Sequence, residues 1–255
     1  MEAQPDTYGR IAYRGLIAWP ERLQREAPLL QRVLGTGPST RVLDLGCGSG
    51  EHSRFLTALG AAVTGVDASP SQLEAARTAD PSGRYLQASL TALGSAVEAG
   101  QGAAICLGNT LPHLCEEAEV RAFFSGLAGL LLPGAPFLLQ LLNYDRILDR
   151  GERTFPLVIR PGEVAGENTV FLRLMTHLGE GRLRFTPAYL RYRPGSDTPL
   201  EVVAAHDVPL RGWRRAQLEA LLVESGFQVS EVLGTMTGEA WSPTSSDLVL
   251  VARRR

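Results

Sequence analysis

Residues 42–50, Val-Leu-Asp-Leu-Gly-Cys-Gly-Ser-Gly, constrain this chain more than any other stretch. A short apolar run opened by Arg41 passes through three alternating glycines, Gly46, Gly48 and Gly50, into a helix-like segment. That order spells strand, tight turn and helix N-terminus. Glycine takes φ > 0 without strain and lets a ligand reach the main chain without meeting a Cβ. The helix start behind it offers unpaired N–H groups to a polar ligand. The stretch reads as a nucleotide-cofactor turn, and its spelling discriminates between cofactors.

The pattern around it predicts an alternating α/β chain. Arg41 to Leu45 is the first strand, and a helix follows from about Glu51 to Leu59. Ala61 to Val66 is a second strand ending at Asp67. Ser69, Pro70 and Gln72 then mark a helix start, with Ser69 as N-cap, Pro70 at N1 and Gln72 completing a capping box. Arg84 to Leu90 and Ala103 to Leu107 are strands three and four. A helix from Ala118 to Leu132 halts at Pro133-Gly134 before a fifth strand, Pro136 to Leu142. Strands and helices alternating at this spacing predict a doubly wound, Rossmann-like, seven-stranded and mostly parallel sheet.

The alternation stops after strand five. From about Thr154 to Leu210 apolar residues follow period two, with Val170, Leu172 and Leu174 on one face, then Leu183 and Phe185. This predicts an antiparallel β insertion of three or four strands. Arg214 to Glu224 is a helix stopped by Gly226, and Phe227 to Leu233 and Asp247 to Val251 close the sheet. Ahead of the first strand, residues 8–34 predict two or three short helices interrupted by Pro20 and Pro28. Tyr8, Tyr13, Trp19 and Arg22 there form either a packing cap or a lid. The expected organisation is residues 1–150 for the helices and cofactor-binding half, 151–211 for the insertion, and 212–255 for the closing helix and strands.

Composition excludes several function classes. The net charge of −2 carries no polybasic field, so neither nucleic acid nor an anionic membrane is an expected partner. Leu127 to Leu132 is too short to span a bilayer, and the N-terminus lacks the apolar run of a signal peptide. Three cysteines, Cys47, Cys106 and Cys115, are odd in number and read as reduced thiols of a cytoplasmic protein. With four histidines they form no ligand-spaced set, and no metal is expected.

A dinucleotide fingerprint requires G-x-G-x-x-G, and here Glu51 occupies the third glycine position. Asp44 adds a carboxylate in the approach to the turn. Such charge repels a pyrophosphate and suits a cationic or ammonium-bearing ligand. Asp67 lies at the distance of a ribose-binding carboxylate. An adenosine with a zwitterionic tail fits better than NAD.

These residues resemble the class I S-adenosylmethionine-dependent methyltransferases over nearly the whole chain. Asp44 to Gly50, including Gly46 and Gly48, matches the first motif of that family. Val66-Asp67-Ala68-Ser69 matches the second, where the acid holds the ribose. Gln87-Ala88-Ser89-Leu90 occupies the segment bordering the adenine, with Ser89 where many members have Asp. Ile105 to Leu114 and Asn143 to Leu148 are similar to the glycine N-methyltransferase group of small-molecule enzymes. That resemblance implies a cofactor contact at Leu107, an acceptor-facing Asn109, a histidine beside the same cavity at His113, and an arginine at Arg22 pairing the cofactor carboxylate. The plainer roles are a loop cap for Asn109 and a helix-start residue for His113. In the glycine enzymes an arginine precedes the Asn-Tyr-Asp triplet and grips the substrate carboxylate; here that position is Leu142. An isobutyl group cannot replace a bidentate guanidinium, so glycine is disfavoured. Arg160, Arg173, Arg184 or Arg191 could supply a cation from the insertion.

The implied reaction is methylation of a small-molecule acceptor at nitrogen or oxygen, with S-adenosylmethionine as donor. Asn109 would orient the acceptor through its amide oxygen, Tyr144 or a lid tyrosine would wall the site, and His113 is the first candidate base for an oxygen acceptor. The β insertion would cover the acceptor and is the expected surface for homo-oligomer formation. A cofactor-binding protein without transferase activity and an NAD-dependent oxidoreductase are the alternatives.

Overall fold

The computed structural model describes residues 17–35, 40–162 and 164–255; Tyr8 and Tyr13 lie outside them. The core is a seven-stranded sheet. Its strands are β1 (Arg41–Leu45), β2 (Ala62–Asp67), β3 (Arg84–Gln87), β4 (Ala103–Cys106), β5 (Pro136–Leu142), β11 (Phe227–Leu233) and β12 (Asp247–Arg254). They lie in the order β11-β12-β5-β4-β1-β2-β3. The first five are mutually parallel, and β12 runs antiparallel between β5 and β11. The chain direction across the sheet reverses at β1 and β4, whose carboxyl ends therefore border a crevice.

Helices cover both faces, which is why the strands read as unbroken apolar runs. Leu43 and Leu45 point into a core built with Phe123, Phe124 and Leu127 of α4 (Glu117–Leu130) and Leu218 and Leu222 of α6 (Arg215–Glu224). Val42 points the other way, into a core with Leu30 of α1 (Trp19–Leu34) and Leu56 of α2 (Glu51–Ala58). The remaining helices are α3 (Pro70–Ala79) and α5 (Tyr144–Arg150).

Two expectations about local structure are corrected. Residues 19–34 form one continuous helix, unbroken at Pro28, while residues 8–16 of the expected helical stretch lie outside the described ones. Pro20 sits in the first turn, where its missing N–H costs nothing, and Pro28 is inside the helix. An interior proline costs about 3 kcal/mol. Burial of Leu29, Leu30, Val33 and Leu34, at roughly 1.5–3 kcal/mol for each fully buried side chain, offsets that cost. The third strand ends at Gln87, and Ser89 then caps a 3₁₀ turn over Leu90–Ser95 by accepting the Thr91 N–H.

The insertion holds five strands, not three or four: β6 (Val158–Pro161), β7 (Asn168–Gly179), β8 (Arg182–Tyr192), β9 (Leu200–Ala205) and β10 (Val208–Arg211), all antiparallel. On β7 the buried face is the one opposite Val170, Leu172 and Leu174, whereas Leu183 of the same pattern is buried on β8. Phe171, Met175 and Leu183 are buried, whereas Val170, Leu172 and Leu174 look outward, with Leu174 38% exposed. Period two holds on both faces, because both carry apolar residues.

Candidate active site

Two adjoining cavities open along the carboxyl ends of the parallel strands, with volumes of about 350 and 490 Å³. They share Ile17, Arg22, Gly108, Asn109 and His113, so the loop after β4 is the wall between them.

The glycine turn floors the first cavity. Gly46 and Cys47 donate their N–H groups to the Val66 carbonyl at 2.7 and 3.1 Å, which binds the turn to the end of β2. Gly46 has φ +72°, and a Cβ there would lie 2.3 Å from Thr110 Cγ2. Asp67 spans the turn and the next helix. Its Oδ2 accepts the Gly48 N–H at 2.8 Å and its Oδ1 the Ser69 N–H at 2.9 Å. The Ser69 hydroxyl in turn accepts the Gln72 N–H at 3.2 Å. Asp67, rather than the Gln72 side chain, thus satisfies the N-cap donor, and Gln72 instead lines the cavity.

Carboxylates surround this bend. Asp44 is buried, accepts the Ser53 hydroxyl at 2.7 Å, and has its pKa raised by burial. Glu51 is buried too, accepting the Ser49 hydroxyl at 2.6 Å and facing Arg54 at 3.2 Å. With Asp67 they place three acidic groups on the lining. That field opposes a pyrophosphate and favours a cation in the same space.

From α1, Arg22 and Trp19 line the first cavity. Arg22 lies over the Trp19 ring at 5.0 Å and donates from Nε to Glu26 at 2.8 Å. Glu26 is buried, and its other oxygen lies 2.7 Å from His52 Nε2. Burial opposes its charge, but His52 and the Arg22 cation outweigh that and hold its carboxyl below the usual range. Ala68, Ser89, Leu90 and Leu107 also line the cavity. The Ser89 hydroxyl lies 2.8 Å from that of Thr91.

At the junction, Asn109 holds φ +67°. Its Oδ1 accepts the Leu142 N–H at 3.1 Å, and the Tyr144 hydroxyl lies 3.0 Å from its Nδ2. The amide oxygen is therefore engaged by the protein in this arrangement rather than turned to an acceptor. Tyr144 is fully buried and lines neither cavity, so it anchors Asn109 from behind instead of walling the site. His113 lines both cavities, and burial pulls its pKa down to about 4, leaving a neutral imidazole at physiological pH.

The second cavity has Phe155, Phe171, Met175 and Phe185 of the insertion on one side and Leu142, Gln140 and Asp247 of the main sheet on the other. Of the four arginines named above, Arg173 lines it. Its guanidinium lies over the Phe155 and Phe171 rings at 5.3 and 5.7 Å and donates to the Pro156 carbonyl. Gln140 and Asp247 were missed from the sequence. The signal was present: a lone glutamine inside an otherwise apolar strand, and an aspartate opening the last one. Among the described residues no cluster of three or more His, Cys, Asp or Glu side chains could hold a metal.

Residues 42–134 match the family model described as a methyltransferase domain. A glycine/sarcosine N-methyltransferase of Parasynechococcus marenigrum is 33% identical over 140 residues, covering 53% of this chain and 50% of that one. A glycine N-methyltransferase of Rattus norvegicus is 36% identical over 126 residues, covering 44% and 43%. Residues 42–134 thus carry a methyltransferase domain. The chain spans about half the length of these curated relatives. The fold of the methyltransferase extends further than the matched segment. A solved amino pentose methyltransferase of Micromonospora echinaspora, with S-adenosylmethionine bound, superposes with a TM-score of 0.74 at 22% identity, covering 96% of this chain and 95% of that one.

The cavity suits that cofactor. The bend packs this tightly because Gly46 and Gly50 lack side chains; a Cβ at Gly50 would lie 2.7 Å from the Tyr85 hydroxyl. The bend, Asp44 and Glu51 are suited to the cationic amino acid portion, and Asp67 with the 68–90 segment to the nucleoside. When bound, the cofactor supplies an electrophilic methyl group.

Proposed function

We propose that this protein transfers a methyl group from S-adenosylmethionine to a nitrogen or oxygen of a small molecule. The observation that carries the reading is the meeting of two unlike cavities at Asn109 and His113. One has the carboxylate-rich glycine bend, and the other has apolar and aromatic walls from the insertion. Positioning carries much of the rate when the transferred group is already electrophilic. The Leu107–Thr110 loop, fixed by Asn109, sets the passage between the cavities. Arg22, Asp44, Gly46, Gly48, Asp67, Ala68, Ser89, Leu90 and Leu107 would hold the cofactor. A neutral His113 accepts a hydrogen bond without competing for charge, and its low proton affinity leaves removal of any acceptor proton to another group.

The cavity of about 490 Å³ and the balanced charge support a small acceptor over nucleic acid, and the free cysteines Cys47, Cys106 and Cys115 support a cytoplasmic setting. Among the described residues no helix is long and apolar enough to cross a membrane. The outer face of the insertion supports pairing with a second copy. Ile159, Val170, Leu190 and Val202 are cross-strand neighbours on four adjacent strands, with Ile159 54% and Val202 62% exposed. A contiguous apolar face of this kind marks an interaction surface.

A radiolabelled methyl screen over small amines, phenols and carboxylates tests the activity. Label passing to none of them while the cofactor still binds would favour a cofactor-binding protein without transferase activity.

A further inference from the structure

Asp247 is the least expected group in the second cavity. It opens β12, directly across from Leu142 at the end of β5. Its Oδ1 accepts the Gln140 Nε2–H at 3.0 Å and its Oδ2 the Ser246 hydroxyl at 3.1 Å. Among the described residues no arginine, lysine or histidine nitrogen lies within 4.0 Å of it; the Arg22 cation acts on it only from farther off, and the Glu26 charge opposes that pull. Asp247 is half-buried, and a carboxylate drawn out of water is usually paired with a cation or metal. Two neutral donors leave lone-pair sites on a carboxylate open. The other charged groups facing this cavity are Arg22, Arg25 and Glu26 from α1 and Arg173 from β7. Arg22 is held by Glu26, and Arg173 lies against Phe155 and Phe171.

We infer that the second cavity receives its acceptor as a cationic amine on an apolar body, with Asp247 facing the ammonium group and Phe155, Phe171, Phe185 and Met175 enclosing the body. This rests on the proposed methyl transfer and names its acceptor class. Leu142 agrees with it, since an isobutyl group beside a carboxylate offers nothing to an anionic acceptor. Before transfer the ammonium N–H bond breaks, its proton forms an O–H bond on Asp247, and the electron pair stays on nitrogen. Burial raises the proton affinity of this carboxyl group, in the direction that such a transfer needs.

Titration calorimetry with 2-phenylethylamine, 2-phenylethanol and 3-phenylpropanoate tests the inference on the full chain. The amine is expected to bind at least tenfold more tightly than the carboxylate. Asp247→Asn should weaken the amine at least tenfold and the alcohol less than twofold. Leu142→Arg keeps Asp247 but sets a cation beside it, and should reverse the preference toward the carboxylate even where Asp247→Asn folds poorly. Equal amine affinity in wild type and Asp247→Asn, a wild-type preference for the carboxylate, or no binding by any of the three would overturn it. S-adenosylmethionine titrated into the wild type separates the two failures. Cofactor binding without amine preference sinks this inference alone, whereas no cofactor binding sinks the methyltransferase reading.

Discussion

The amide oxygen of Asn109 accepts the main-chain N–H of Leu142 at 3.1 Å, tying the loop after β4 to the end of β5. Because Asn109 also holds φ +67°, one residue supplies both the bend and the stitch. Asparagine tolerates the left-handed region better than other residues with a Cβ.

Asn109→Ala removes the stitch and strains the bend. Methyl transfer should slow at least tenfold, while S-adenosylmethionine affinity changes by less than about threefold; one hydrogen bond is worth about 1 kcal/mol. Asn109→Gly relieves the strain without restoring the bond and should recover part of the rate. Steady-state rates with parallel calorimetry check both; loss of cofactor binding in Asn109→Ala would refute the assignment.

Asp67→Ala should weaken S-adenosylmethionine by about tenfold to a hundredfold. Hydrogen bonds to a charged group are worth about 1.5–3 kcal/mol, and Gly48 and Ser69 lose theirs as well. Calorimetry reads this directly, and unchanged affinity would remove the ribose role.

Gly46→Ala should destabilise the fold by about 2 kcal/mol or more, from a Cβ at φ +72° pressed on Thr110. The double variant with Thr110→Ala removes the two nearest contacts and should recover only part, because the backbone strain persists. Urea unfolding of Gly46→Ala, Thr110→Ala and the double variant measures it.

His113 makes stability depend on pH. Its folded pKa of about 4 lies below the ordinary 6.5, so between those values the unfolded chain binds more protons than the folded one. Stability therefore rises with pH through that window and is diminished below it, by up to about 3 kcal/mol. His113→Asn should flatten the slope between pH 4 and 6.5 in urea titrations; an unchanged slope would show that the ring charges freely in the folded state.

Val202→Glu sets a charge on the outer face of the insertion. If that face pairs copies of the chain, the variant should sediment as a monomer where the wild type forms a dimer. A wild type that remains monomeric at high concentration would refute the pairing.

The sheet was legible because each parallel strand is a short apolar run ending at a marked turn, as Leu45 at Gly46 and Val66 at Asp67. The lining of the first cavity was legible for the same reason: apart from Trp19 and Arg22 on α1, most of its groups sit within a few residues of those ends. The insertion was less so. Val170, Leu172 and Leu174 alternate as cleanly as Phe171 and Met175 do, and period alone does not say which face is covered. Tyr144 and Asn109 lie 35 residues apart, and only the parallel pairing of β4 with β5 shows that one anchors the other. Helix α1 ran through Pro28 because its apolar stripe faces the sheet, a tertiary gain absent from local propensity.

Gln140 accepts the Gly108 N–H at 2.8 Å with one end of its amide and donates to Asp247 with the other. An amide has a single polarity, so the orientation chosen at the loop is also the one imposed at the carboxylate. A proton gained by Asp247 on that oxygen would turn the link from attraction to conflict and press on Gly108. The rim of one compartment thus carries a mechanical trace of the charge held in the other, across a single side chain.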